Sequence, residues 1–201
     1  MPDSRVEDVL DDILALVDDG TGGSVPLRYP DSYNLLAVGE GVFPRSYISA
    51  SGATGTGSLR LSYFTAQKTE TTTQVRTISG STAATLASVA RVGLYEIAGN
   101  GAGTLVASTA NDVTLWTATI TAYTRSWSVP YAKVAGQRYA VGVLVVTAGT
   151  APTLIGAGAP EVSEPGVAPR LVGVSGGHAD LPASFETVAN TAVRLYAVVL
   201  P

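Results

Sequence analysis

His178 is the only histidine of the chain and stands in Gly176-Gly177-His178-Ala179-Asp180. Imidazole is the side chain best suited to proton transfer near neutral pH. A nucleophilic triad would bring Ser175 or Ser184 to it and use Asp180 as the orienting acid. Ser175 stands in Gly173-Val174-Ser175-Gly176-Gly177, which has the letters of a Gly-x-Ser-x-Gly elbow, but no helix pattern follows it as such an elbow requires, so His178 reads as a loop residue beside two glycines. With one His and no Cys, a metal site could use only oxygen ligands. Asp11, Asp12, Asp18 and Asp19 lack the spacing of a calcium loop and read as a solvated helix face. Glycoside hydrolysis would need two facing carboxylates from Glu40, Glu70, Glu96, Asp112, Glu161, Glu164, Asp180 and Glu186, which are scattered through apparent turns. The glycine pairs at 22–23 and 176–177 lack the context of a phosphate loop. The expectation is a protein that is not an enzyme and carries no cofactor or metal.

A second chemistry is stacking on aromatic rings. Trp116 and Trp127 are the only tryptophans and flank Tyr123, with Tyr131 following in Val129-Pro130-Tyr131. If Trp116 faced solvent with Tyr123 or Tyr131, a saccharide ring could stack there. The alternative is that both indoles are core or interface, since Trp is mostly buried. Tyr29, Tyr33 and Phe43 suit anchoring of an extended segment at an interface.

The elements that must position these residues fall into two unlike parts. Residues 1–19 hold seven of the chain's sixteen carboxylates and one of its twelve basic residues, leaving nine acids against eleven bases elsewhere. Ser4-Arg5-Val6-Glu7 fits a capping box and Gly20 fits a helix C′ position. Val6, Val9, Ile13 and Leu16 occupy a and d of a heptad, with Leu10 and Val17 widening the stripe. This predicts a short amphipathic helix over 1–20, marginal alone and in need of a partner for its apolar face. Residues 21–46 read as a Gly-rich joint and an extended arm. Residues 47–201 read as a β domain.

Only 14% of the residues are charged against 46% hydrophobic, so Ser, Thr and Gly, together with contacts to other chains, must cover the surface. No basic run points to nucleic acid. The longest apolar run, Tyr139–Val146, falls far short of the roughly 20 residues of a spanning helix, so no membrane insertion is expected.

Strand signals recur at Ser46–Ala50, Leu59–Ala66, Thr72–Ser79, Ala90–Ile97, Thr104–Thr109, Val113–Thr119, Tyr123–Val129, Arg138–Thr147, Thr153–Gly156, Arg170–Val174 and Val193–Leu200. Val141–Val146 is apolar on both faces and should be central. Residues 98–103 (AGNGAG) predict a hairpin tip. Residues 81–89 fit a helical turn or a loop equally, and 157–169 predict a long loop. The terminal strand should pair near the domain's first strand. Many short strands with Gly-rich turns predict an all-β fold, a jelly-roll-like β-sandwich carrying a short N-terminal amphipathic α-helix and an arm.

Tyr33-Asn34-Leu35-Leu36, Gly41-Val42-Phe43-Pro44-Arg45, Leu59–Ala66, Val92-Gly93-Leu94-Tyr95 and Ala135–Gly142 together resemble a β-sandwich domain common in tailed actinobacteriophages. That domain occurs in minor tail proteins and other virion components. The resemblance covers roughly residues 33–200 and carries no catalytic residues. It implies a structural protein on the surface of the virion, assembled in the host cytoplasm, with a role in host attachment. The expected partners are further copies of the chain, a homotrimer first, and other virion proteins through the acidic helix. A host-surface glycan is a further candidate partner. A capsid decoration protein and a stand-alone carbohydrate-binding module are the alternatives.

Overall fold

The computed structural model describes residues 39–158, 170–186 and 188–201. The expected helix at 1–20, its stripe (Val6, Val9, Leu10, Ile13, Leu16 and Val17), the joint and most of the arm lie outside the described residues, as does most of the 157–169 loop.

The described chain is all-β, built from curled antiparallel sheets. In chain order the strands are β1 (Glu40–Gly41), β2 (Ala50–Ala53), β3 (Leu59–Thr65), β4 (Glu70–Ile78), β5 (Ala87–Ile97), β6 (Gly103–Ser108), β7 (Ala122–Lys133), β8 (Arg138–Thr147), β9 (Thr153–Gly158), β10 (Val172–Ser175), β11 (Ser184–Phe185), β12 (Val193–Leu195) and β13 (Ala197–Leu200). They form a four-stranded sheet β1-β13-β4-β7, a six-stranded sheet β10-β3-β8-β5-β6-β11 and a three-stranded sheet β12-β9-β2. Among the described residues no helix is long and apolar enough to cross a membrane.

The six-stranded sheet is covered on both faces, which explains the near-continuous apolar run in β8. One face carries Val92, Leu94, Val141, Val143 and Val145 into the main core, against Val75, Leu154 and Val199 of the other sheets. The opposite face carries Leu59, Leu61, Tyr63, Tyr95 and Leu144 into a second cluster roofed by Leu181, Phe185 and Val188. β8 accordingly sits inside this sheet, between β3 and β5.

Gly93 and Gly142 face each other across β5 and β8. A methyl group at Gly142 would come within 2.8 Å of the Tyr95 ring, so the glycine pair makes the slot in which that ring lies. The Tyr95 hydroxyl donates to the Pro182 carbonyl at 3.1 Å, tying the roof segment to the sheet.

Most expected strands form, with ends shifted by a few residues. The hairpin tip at 98–103 forms between β5 and β6, with Gly101 at φ 88° and Ala98 N–H donating to Ala102 O at 2.9 Å. The terminal strand splits at Tyr196: β12 joins β9, and β13 pairs with β1 on one side and β4 on the other. Two expected strands do not form as read. Residues Arg45–Tyr47 make a short 3-10 turn, and the strand there begins only at Ala50.

Residues 113–119 form turns instead of a strand. Asp112 Oδ1 accepts from both the Thr114 N–H (2.9 Å) and its hydroxyl (2.6 Å), turning the chain where a ladder would otherwise start. Residues 81–86 are loop, and β5 begins at Ala87.

Candidate functional site

The sequence-level triad assembles only in part. His178 Nε2 lies 2.9 Å from Ser175 Oγ, at the end of β10. Asp180 faces away from the imidazole. Its carboxylate accepts two bonds from Arg91 Nη1, both 2.9 Å, and one from its neighbour's N–H at Leu181, 2.7 Å. Among the described residues nothing hydrogen-bonds His178 Nδ1. Ser184 lies on β11, paired with Thr104 of β6. A serine–imidazole pair three residues apart, with no orienting acid, closes a local turn and lacks the arrangement of an activated nucleophile.

Most of the described candidate carboxylates are engaged in structure, while Glu186 is exposed. Glu40 and Glu70 come together around Lys133, with Nζ 2.7 Å from Glu40 Oε2 and 2.9 Å from Glu70 Oε1. Lys133 Nζ also donates to the Lys68 carbonyl at 2.9 Å, and Glu40 Oε1 accepts from the Gln67 N–H at 2.7 Å. Glu96 accepts from the Tyr131 hydroxyl at 2.6 Å, and Asp112 from Arg125 Nε at 2.6 Å. Glu161 and Glu164 lie outside the described residues. No group of three or more metal-ligating side chains occurs among the described residues.

Both tryptophans are interior. Trp116 is fully buried and donates from Nε1 to Thr77 Oγ1 at 2.9 Å; Trp127 is buried and donates to Thr72 Oγ1 at 3.0 Å. The two acceptors lie on the same strand, β4, so each indole satisfies its one polar atom inside the core. Tyr123 is half-buried, with its hydroxyl accepting from the Ala118 N–H at 2.8 Å. Tyr131 is half-buried with its ring against Tyr139 at 6.0 Å. Burial and the bond to Glu96 both push the Tyr131 hydroxyl well above its ordinary pKa. The open stacking face that a saccharide would need at Trp116 is absent.

A groove of about 410 Å³ opens elsewhere, lined by Tyr63, Ile97, the turn Ala98–Gly101, Arg138 and Arg170. Its floor is buried Tyr63 and Ile97. The Arg138 guanidinium stacks over the Tyr63 ring at 5.0 Å and donates from Nη2 to the Arg170 carbonyl. Arg170 Nη1 donates to Val188 O at 2.8 Å and Asn190 Oδ1 at 2.9 Å. Both guanidinium groups are thus held in place, and the described residues engage only part of each fork of donors. Among the described residues no carboxylate forms an ion pair with either.

Behind them lies Arg194, whose Nη2 donates to the carbonyls of Val42 and Tyr63 and whose guanidinium stacks on Phe43 at 5.2 Å. Burial first, and then the like charge of Arg138, brings Arg194 down to about 10. Burial raises the Tyr63 hydroxyl above its ordinary value against the opposing pull of Arg138 and Arg170. Three positive charges therefore converge here without a compensating described acid. Sequence reading missed this site because its residues come from four separate segments.

Strain gathers elsewhere. Leu86, Trp116 and Ile120 are the non-glycine residues with positive φ among those described, at 51°, 61° and 49°. Their loops are joined by Ala84 N–H to Trp116 O (2.7 Å) and Ile120 N–H to Gly80 O (3.0 Å). Leu86 and Ile120 are also the most exposed large apolar side chains described, at 77% and 78%.

No protein-family model matches the chain, and no curated protein matches it significantly.

Proposed function

We propose that the chain is a non-enzymatic structural protein displayed on the surface of a tailed-phage virion. Its curled sheets form a jelly-roll-like sandwich that packs against further copies, a trimer first. The phage assignment comes from the sequence resemblance. The observation that carries the display role is the way the described chain is gripped where it enters the domain. Glu40–Gly41 pairs with β13, and Glu40 is locked to Lys133 in the interior. Whatever precedes Gly39 therefore pulls on the body of a sheet and not on a loose loop. That suits a folded body tethered through its N-terminal side, which is where the sequence places the stripe of Val6, Val9, Ile13 and Leu16. Exposed Leu86, Ile120 and Val129 supply apolar surface for contacts between copies.

Cryo-electron microscopy of purified particles, with the protein located by antibody labelling, tests this reading. The expected result is repeated density for the β domain on the particle exterior. Incorporation should be lost when Ile13 and Leu16 are both changed to Asp. A protein found only in the soluble fraction of infected cells would overturn it.

A further inference from the structure

One end of the β domain presents three loops without a charged residue: 79–86 between β4 and β5, 113–121 before β7, and 148–152 between β8 and β9. The first loop is bonded to both of the others. Ala84 N–H donates to Trp116 O at 2.7 Å, Ile120 N–H to Gly80 O at 3.0 Å, and Thr85 N–H to Thr150 O at 3.1 Å. The three loops therefore make one surface. Asp112, at its margin, is already paired with Arg125 at 2.6 Å.

This end shows solvent aliphatic carbon and hydroxyl groups. Leu86, Val113 and Ile120 stand exposed among exposed Ser81, Thr119 and Thr150. Leu86 and Ile120 sit on backbone at φ 51° and 49°, a left-handed conformation that penalises L side chains and β-branched ones most. Solvent alone gives no reason to keep a large apolar side chain on strained backbone. A partner that covers it does.

The chemistry of that partner follows from what the end lacks. An ionic partner finds no opposite charge. A membrane interface is met by exposed Trp, Tyr, Lys or Arg, and a saccharide by an exposed ring. Here Trp116 is buried, and the half-buried Tyr123 has its hydroxyl engaged by the Ala118 N–H at 2.8 Å. A surface of the same composition does fit. Two identical charged patches repel each other, but aliphatic groups meet their like without that penalty, and each hydroxyl is both donor and acceptor. This end is therefore complementary to itself, as a twofold contact between copies requires.

The described residues that border the undescribed segments lie away from it. Glu40, next to Gly39, is held by Lys133, at the far end of β7 from Ala122. Gly158 closes β9 at the end remote from Thr153, and the Arg170 carbonyl accepts from Arg138, at the far end of β8 from Thr147.

We propose that this uncharged end docks against the same end of a second copy of the chain, with Leu86 and Ile120 as its apolar anchors. The proposal rests on the reading that copies pack together, and it names the surface they use. Failed particle localisation would leave the contact standing, and a failed contact would leave the localisation standing.

The chain has no cysteine, so one introduced thiol reports one place. A short bismaleimide should link copies of the full-length Thr119→Cys chain into dimers. Ala135→Cys, in an exposed turn at the opposite end, should give few. Adding Leu86→Asp to the Thr119→Cys chain should cut the yield about tenfold, because it sets like charges face to face. Equal yields from the two thiols would overturn the proposal. So would a yield untouched by Leu86→Asp, or capture of the Thr119→Cys chain by neutral phosphatidylcholine vesicles without any dimer, which would make a lipid surface the occupant. If Leu86→Asp fails to fold, the comparison of the two thiols still decides.

Discussion

The Lys133 ammonium lies 2.7 Å from the Glu40 carboxylate, and neither side chain reaches solvent, with exposures of 0% and 3%. This pair joins the short first strand to the edge strand β7 across the full width of one sheet, since β13 and β4 lie between them. Isolated charges could not occupy such a place. Glu70, the Lys68 carbonyl and the Gln67 N–H complete the set of partners.

Removing one member should therefore be severe. Lys133→Met or Glu40→Gln is expected to cost about 3–5 kcal/mol, because the charge left behind is buried without its partner. Urea unfolding measures this. The double variant Glu40→Gln/Lys133→Met should cost less than the sum of the two single changes.

The tryptophans should behave as core residues. Trp116→Ala is expected to destabilise by about 3–5 kcal/mol and Trp127→Phe by about 1 kcal/mol, the latter for the lost bond to Thr72. Thermal melts of purified variants check both. A Trp116→Ala protein with unchanged stability would show that the indole does not fill the core.

Ile120 is β-branched and held in the left-handed region at φ 49°. That conformation costs an L-residue about 1–2 kcal/mol, and glycine in its place adds about 0.5–1 kcal/mol of unfolded-state entropy. Ile120→Gly should therefore raise stability by up to about 1 kcal/mol, read from the denaturation midpoint. If the exposed Ile120 side chain also serves contacts between copies, the same change should weaken self-association in sedimentation experiments.

Acid should weaken the fold. Burial alone would raise the Glu70 and Asp112 carboxyls, but hydrogen bonds and charge from Lys68 and Lys133, and from Thr114 and Arg125, leave them below their ordinary values of 4.5 and 3.8. The unfolded chain then takes up these protons first. The stability they contribute is present above the ordinary values and is lost as pH falls through the lower, folded ones. The melting temperature should begin to drop near pH 4.5, and Glu70→Gln/Asp112→Asn should flatten that decline.

Residue pattern carried much of this architecture. The apolar run 141–146 revealed a strand with two covered faces, and Asn100-Gly101 marked the tip of a hairpin. Val113–Thr119 misled because its alternation and β-branched content suit a strand. Asn111-Asp112 just before it was the overlooked turn signal, and the Asp112 side chain does cap that turn. Strands of two residues, such as Glu40–Gly41 and Ser184–Phe185, carry no periodicity to detect. The arginine groove was hidden for a different reason. Arg138 and Arg170 are 32 positions apart, and only the pairing of β3 with both β8 and β10 brings them to Tyr63.

β13 is the last described strand in chain order, yet it occupies an inner position of its sheet. Until it is made, β1 has no neighbour among the described strands and β4 has an open edge. That sheet therefore cannot form progressively during synthesis. A chain cut short before residue 197 would leave the β4 edge unpaired, a ready template for a strand of another molecule.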